Sequence, residues 1–450
     1  MIYLDESQAG SGKTTRNCET IAQNPQQYYL IIVPSVALAE EYVVNTGGTS
    51  IHSENKTGSS VGKDISRLMH TTRILIITQQ SFKLFENKDD LCRGRDVFQD
   101  EELAIVESMQ INIANHKQWA DIFNVMETIH NGIYTVTLND HRLKEFQETL
   151  DILDNKDVLK TFTSTGNLLV TNTPDIDGAT VYKMASPDIY KTAKSVTISC
   201  ANFKSTVQYN LWNHTFEVEF MVINPFVKYI TPNLQFHHAE QARNSKSYNT
   251  IHTHIHDSFV KYVKEQTSNA IYLDNKMFDD ITEEGWTRLQ QNCQGVNSFR
   301  DHTHIAIASA VNYNTYLSNI LMKLCNMDAL QIRASLIGEI THQLIMRGIL
   351  RVNINSICHV YLMEKDLCDY LLTHLYETPL AAKVIPDTLR TIRVLKEVVK
   401  PSDRNKASMM RKMQPSVTDG FSDRELMTMA VWFATKHDGT PKVKKQKVGV

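Results

Sequence analysis

The chain opens Met1-Ile-Tyr-Leu-Asp-Glu-Ser-Gln-Ala9-Gly-Ser-Gly-Lys-Thr-Thr15, and the reading of this stretch decides the fold. A short apolar start, Ile2 to Leu4, runs into Gly-x-Gly-Lys-Thr. A strand that feeds such a loop is how a chain wraps phosphate. Gly10 and Gly12 let the backbone turn so that successive N–H groups point inward at phosphate oxygens. Lys13 brings a positive charge to the β- and γ-phosphates of a nucleoside triphosphate. Thr14 supplies a hydroxyl for Mg²⁺. A helix expected from near Lys13 adds the partial charge of its N-terminus. The expected nucleotide-binding residues are Ala9, Gly10, Ser11, Gly12, Lys13, Thr14 and Thr15, with ATP and Mg²⁺ as ligands. The full pattern has Gly six residues before the Lys; here Ser7 stands there, a small residue expected to make the turn.

Composition is that of an ordinary globular protein. The chain has 450 residues, 42% hydrophobic and 22% charged, which suits about two to three domains. No run of about eighteen apolar residues occurs, so no membrane span is expected. The apolar start leads straight into the loop and is not read as a secretory leader. Seven scattered cysteines without a Cys-x-x-Cys point to a reducing cytoplasm. The net charge of −3 hides an uneven distribution. From Asp387 onward, 14 Lys/Arg stand against 7 Asp/Glu, and Lys442 to Lys447 form a basic tail. Such a tail is either solvated or touches a phosphate backbone.

Beyond the loop, Tyr28–Val33 and Arg73–Thr78 are apolar runs that read as buried parallel strands. They end in Pro34-Ser35 and in Gln79-Gln80, and Val36–Val44 is helical in pattern. Strand ends are where α/β folds carry functional loops. Asp96 to Glu102 holds an acidic cluster at a further strand end. Asp100 is expected to hold Mg²⁺ and Glu101 to polarise the attacking water, with Glu101-Glu102 as the alternative pair. Gln99 is unusual where an apolar residue is common. Residues 103–194 read as an insertion, with amphipathic segments at 117–129 and 141–153 and strand-like pieces at 132–138, 167–171 and 180–184.

A strand from Ser195 restores order. Residues 213–232 look like a crossing segment and Leu234–His238 like an edge strand. A helix over 253–265 and strands at 269–274 and 304–309 suggest a second α/β domain. In Gly338–Arg351, Gln343, Arg347 and Arg351 are spaced by four, which puts all three on one helix face. Buried arginines need partners, and a departing γ-phosphate would be one. His252, His254 and His256 alternate, yet a solvated segment is expected, and the same for His237-His238.

The ordered set resembles the superfamily 2 helicases and translocases. Ala9–Thr15 looks like their first motif and Asp100-Glu101 like the second. Ile198–Phe203 resembles the third, Ala270–Asp274 the fourth and Ile305–Asn314 the fifth. Gln343–Arg351 looks like the sixth, with its Gln and arginine fingers. Val33-Pro34-Ser35 and Ile77–Gln80 resemble nucleic-acid contacts. The departures are an acidic motif without its usual ending, Ser-Cys-Ala-Asn in the third motif, and arginines spaced by four.

The resemblance implies two RecA-like P-loop NTPase domains, parallel sheets flanked by helices, with NTP between them. The expected division is 1–215 with an insertion over about 103–194, then 216–385, then a helical and basic extension over 386–450. Lys13, Asp100, Glu101, Gln343, Arg347 and Arg351 would be catalytic, with Thr14 and Asp100 on Mg²⁺. Pro34, Ser35, Thr78 and Gln79 would touch nucleic acid, DNA in preference to RNA. Replication or recombination proteins would dock on the extension, whose segment 423–435 has a helical pattern. No membrane is implied. A bacteriophage source would place the chain in the host cytoplasm. Two other readings remain: a viral DNA-packaging ATPase with a nuclease using Asp274, Asp279 and Asp280, and a non-motor nucleotide switch or kinase.

Overall fold

The computed structural model describes residues 1–57, 60–111, 123–130, 133–138, 167–172, 179–241, 243–245, 253–275, 284–289, 299–313 and 315–388. The expected helix at 423–435, the basic tail, His252, Asp279, Asp280 and the segment 141–153 lie outside the described residues.

Two parallel sheets, each flanked by helices, form the RecA-like architecture. The first has seven strands in the order Phe220–Asn224, Ile2–Asp5, Ser195–Ser199, Asp96–Asp100, Tyr29–Val33, Ile74–Thr78 and Thr49–Ile51. Every pairing is parallel. Parallel strands covered on both faces must be apolar throughout, which is why Tyr29–Val33 is buried at each position. Alternate residues then divide. Leu30, Ile32, Leu75, Ile77, Val97 and Ile198 pack on one face, and Ile31, Val33, Ile74, Ile76 and Phe98 on the other. Burial of one such side chain contributes roughly 1.5–3 kcal/mol.

Local chemistry fixes the helix ends. Ser35 Oγ accepts the Leu38 N–H at 3.3 Å and starts the helix Val36–Thr46, which Gly47 ends at φ 67°. Arg95 is buried where the strands begin and donates to the carbonyls of Tyr29, Thr72, Arg73 and Met69. Burial lowers its pKa, but four acceptors keep the cation satisfied.

The second sheet has six parallel strands, in the order Trp286–Arg288, Ala270–Leu273, His304–Ile307, Cys358–Leu362, Leu234–Ala239 and Lys383–Ile385. Leu234–Ala239 is therefore an interior strand, not the expected edge, because Lys383–Ile385 pairs on its outer side. Helix Thr253–Gln266 covers one face, while helices Glu339–Ile345 and Lys365–His374 cover the other.

The division between domains is less simple than a cut at residue 216. Phe220–Asn224 pairs with Ile2–Asp5, so the first sheet extends past that point. Helix Thr315–Leu324 follows second-sheet strands in the chain but packs Leu317, Ile320 and Leu321 into the first core. Thr215 donates to Leu324 O at 2.7 Å across this contact.

The insertion contains a five-stranded antiparallel sheet, in the order Val106–Ile111, Ala179–Ala185, Asn167–Asn172, Ile133–Leu138 and Phe123–His130. Part of the expected amphipathic segment at 117–129 is thus strand: Phe123–His130 pairs antiparallel with Ile133–Leu138. Tyr182 and Met184 root the sheet in the first core, and Trp212 Nε1 donates to Ala185 O at 2.9 Å. No disulfide links the described cysteines, and no described helix is long and apolar enough to cross a membrane.

Candidate functional site

The phosphate-type loop connects strand Ile2–Asp5 to helix Lys13–Gln23. Gly10 (φ 78°) and Gly12 (φ 83°) take the left-handed backbone that other residues adopt only at a cost. Ser7 does not, so serine fits where glycine is usual. Its hydroxyl and N–H donate to Asp5 Oδ1 at 2.5 and 3.1 Å. Arg16 closes the base of the loop, donating to Asp5 Oδ2 at 2.7 Å and to Ser11 O at 2.7 Å. Burial opposes the Asp5 carboxylate, but Ser7 and Arg16 overcome it and hold its pKa below the ordinary value. Lys13 Nζ lies folded over the loop, donating to Ser7 O at 2.8 Å and to Gln8 O at 3.2 Å.

Asp100 stands opposite, at the end of its strand and almost fully buried. Thr14 donates to Asp100 Oδ2 at 3.5 Å and Tyr42 donates to the same oxygen at 3.0 Å. Burial, and then the charge of Glu101, push the Asp100 carboxyl up to about 7 against Lys13, Tyr42 and Thr14. A hydroxyl and a carboxylate converging in this way make a hard oxygen donor set, which fits Mg²⁺. A bound cation would favour the ionised Asp100 carboxylate that burial disfavours.

Gln99, unusual in the sequence, and Gln208, unread there, shape the acidic turn. Gln99 Nε2 donates to Glu101 O at 2.9 Å, and Gln208 Oε1 accepts the Leu103 N–H at 2.7 Å. The two amides bond to each other, and Tyr190 OH donates to Gln99 Oε1 at 2.8 Å. The unusual Gln99 is therefore the anchor of the turn that carries Asp100, Glu101 and Glu102. Glu101 sits at φ 66°, a strained backbone for a side chain of its size, with its N–H on Ser199 O at 3.1 Å.

The second domain contributes helix Glu339–Ile345. Glu339 is buried there and accepts from Gln343 Nε2 at 3.1 Å. Burial, and then Glu101, push Glu339 up to about 8. Burial, then Glu339 and Glu101, push Glu102 up to about 8. Acidic residues from both domains thus share one cleft with Lys13. Glu339 was not singled out in the sequence, because its significance comes from the facing domain.

The expected single face of Gln343, Arg347 and Arg351 does not form. The helix stops at Ile345, and the Arg347 N–H takes Leu344 O in a tightened turn. Gly348 then passes so close to the loop before strand His304–Ile307 that a Cβ would lie 3.0 Å from His302 O. Arg351 falls in the separate 3-10 turn Ile349–Arg351, with Arg300 and the first domain's Glu41 as charged neighbours. Arg347 is half-buried just past the helix end.

Pro34, Ser35, Thr78 and Gln79 all lie at carboxyl ends of first-sheet strands, the edge that carries the loop. Ser35 and Thr78 cap the helices that follow, and Gln79 Nε2 donates to Asp100 O at 3.0 Å. The histidines expected in solvent are largely inside. His237 and His238 are buried in their strand, and His256 is buried and bonds Asp274 Oδ2 at 2.6 Å. Asp274, with that partner, is not an open metal carboxylate. Among the described residues no cluster of three or more His, Cys, Asp or Glu has the geometry of a metal site.

No family model and no curated protein matches the chain. Solved structures do. Xpd4 of S. tokodaii is similar over 85% of this chain and 95% of its own, at 12% identity and a TM-score of 0.47. A hypothetical ATP-dependent RNA helicase from Sulfolobus tokodaii is similar over 80% and 86%, at 10% identity and a TM-score of 0.23. The helicase Lhr of Mycobacterium smegmatis, solved with ssDNA and AMP-PNP, is similar over 84% of this chain, at 12% identity and a TM-score of 0.35. This chain spans 47% of Lhr. At such identities the likeness to these helicase structures concerns the fold alone.

Proposed function

We propose that this chain is an ATP hydrolase that couples turnover in the cleft between its sheets to movement along nucleic acid. DNA is the preferred track, and replication, recombination or repair the setting. The observation that carries the reading is the convergence of Thr14 and Asp100 beneath a Gly-x-Gly-Lys loop, facing a helix of the second domain. Lys13 would take the β- and γ-phosphates, and the loop N–H groups their oxygens. Thr14 and Asp100 would hold Mg²⁺, which lends its positive charge to the transferred group. Glu101 would polarise the attacking water. Arg347, with Arg351 from the next turn, would neutralise charge as the γ-phosphate leaves. Pro34, Ser35, Thr78 and Gln79 would meet the nucleic-acid backbone along the strand ends.

Magnesium-dependent phosphate release and nucleotide binding, measured on two variants, test the cleft. Lys13→Ala loses both. Arg347→Ala keeps binding and loses turnover by about 10³-fold. Normal turnover in Arg347→Ala would contradict a cleft completed by the second domain.

A further inference from the structure

The phosphate-type loop touches the second domain through a line of side chains that the hydrolysis scheme does not use. Tyr229 belongs to the short strand Tyr229–Ile230, paired in parallel with Tyr376–Glu377. Its hydroxyl accepts the backbone N–H of Ala9 at 2.5 Å. The same hydroxyl lies 3.5 Å from His342 Nε2, and His342 Nδ1 lies 2.7 Å from the Tyr376 hydroxyl. All three side chains are buried. The Gln8 amide adds a parallel tie, donating to Val227 O and Lys228 O at 3.0 Å each.

The direction of this line follows from its first member. A backbone N–H can only donate, so the Tyr229 oxygen accepts and its own proton turns to His342 Nε2. A neutral imidazole carries one N–H. With Nε2 accepting, Nδ1 holds the proton and donates to Tyr376. Burial, aided by the charge of Lys13, lowers the His342 pKa to about 3 and keeps the ring neutral. His342 rides on the same helix as Glu339 and Gln343. Loop and helix are therefore joined through the buried Tyr229 and His342 side chains.

We propose that Tyr229 is a positioning residue that couples the phosphate-type loop to helix Glu339–Ile345, so that nucleotide in the loop fixes Glu339 and Gln343 in the cleft. The proposal rests on the nucleotide reading above. Tyr229→Phe removes one oxygen and keeps the ring stacked on Tyr376, 5.5 Å between centroids. His342→Phe cuts the line where it enters the helix and leaves the bond from Tyr229 to Ala9 intact.

Hydrogen exchange of the full chain, with and without a saturating magnesium complex of a non-hydrolysable ATP analogue, reads the coupling. In the wild type the analogue slows exchange over 339–345 by about tenfold, within the usual range of coupling between sites. In both variants the analogue still saturates, and this protection falls to less than about twofold. If Tyr229→Phe does not fold, His342→Phe alone decides. Full protection of 339–345 in a saturated variant overturns the proposal. So does loss of analogue affinity in His342→Phe, since His342 would then only shore up the loop. A wild type that does not bind the analogue removes the nucleotide reading and the coupling with it. A wild type that binds it, with equal protection in the variants, removes the coupling alone.

Discussion

The Thr14 hydroxyl meets Asp100 Oδ2 at 3.5 Å, although 86 residues separate the two in the chain. One stands at the start of the helix after the glycine loop, the other at the end of a strand two places across the sheet. The first sheet brings them together by parallel pairing through Ser195–Ser199, whose register sets Ser199 against both Asp5 and Asp100. The distance is therefore a property of the sheet.

Asp100→Asn is expected to lower magnesium-dependent hydrolysis by at least about 100-fold. It should also stabilise the protein. The folded pKa of Asp100, about 7, lies above its unfolded value. The folded state is favoured while the group stays protonated, and that contribution is lost as pH rises from about 4 through about 7. The melting temperature of Asp100→Asn should thus exceed that of the wild type above pH 7 and converge with it near pH 4. Calorimetry across this range checks both limbs.

Glu102 and Glu339 extend the same argument. Both are pushed up to about 8, so rising pH costs stability between about 4.5 and 8. Glu339→Gln removes one charge and relieves its neighbour. Its melting temperature should fall less steeply with pH than that of the wild type. A parallel curve would place Glu339 outside the acidic group.

Gln99→Leu leaves the Glu101 carbonyl, Gln208 and Tyr190 without their partner in the protein interior. Each buried polar group left unpaired costs about 1–3 kcal/mol. Urea unfolding should show a loss of that order. Hydrolysis should fall as well, because the turn carrying Glu101 loses its anchor.

The second sheet has its own acid response. His237, His304 and His359 lie side by side on adjacent strands, with Lys383 facing His237 and His359. Burial is the first cause in each case, and it lowers His237 to about 3 and His304 to about 4. These rings are neutral when folded and accept protons on unfolding. Stability is complete above about pH 6.5 and declines as pH falls toward 4. His304→Gln should flatten that decline in a melting series.

Much of this was legible in the sequence where local chemistry decides. Gly10, Gly12, Lys13 and Thr14 declare themselves because the loop needs those residue types in that order. Tyr29–Val33 and Ile74–Thr78 are legible because strands buried on both faces must be apolar. What stayed hidden depends on distant partners. Gln99 makes sense only beside Gln208 and Tyr190. His237 looks solvated until Tyr262 and His359 supply its hydrogen bonds. The helix carrying Gln343 stops at Ile345 and Gly348 then packs against His302, a contact that periodicity cannot carry. Glu339 gains its meaning from a carboxylate in the other domain.

The most direct test of the central claim is the steady-state rate of ATP hydrolysis with Mg²⁺, alone and with single-stranded DNA, duplex or branched DNA, and RNA. The account predicts strong stimulation by a DNA track, abolished by Lys13→Ala. A rate indifferent to every nucleic acid would contradict the coupled motor and leave a nucleotide switch on the same fold.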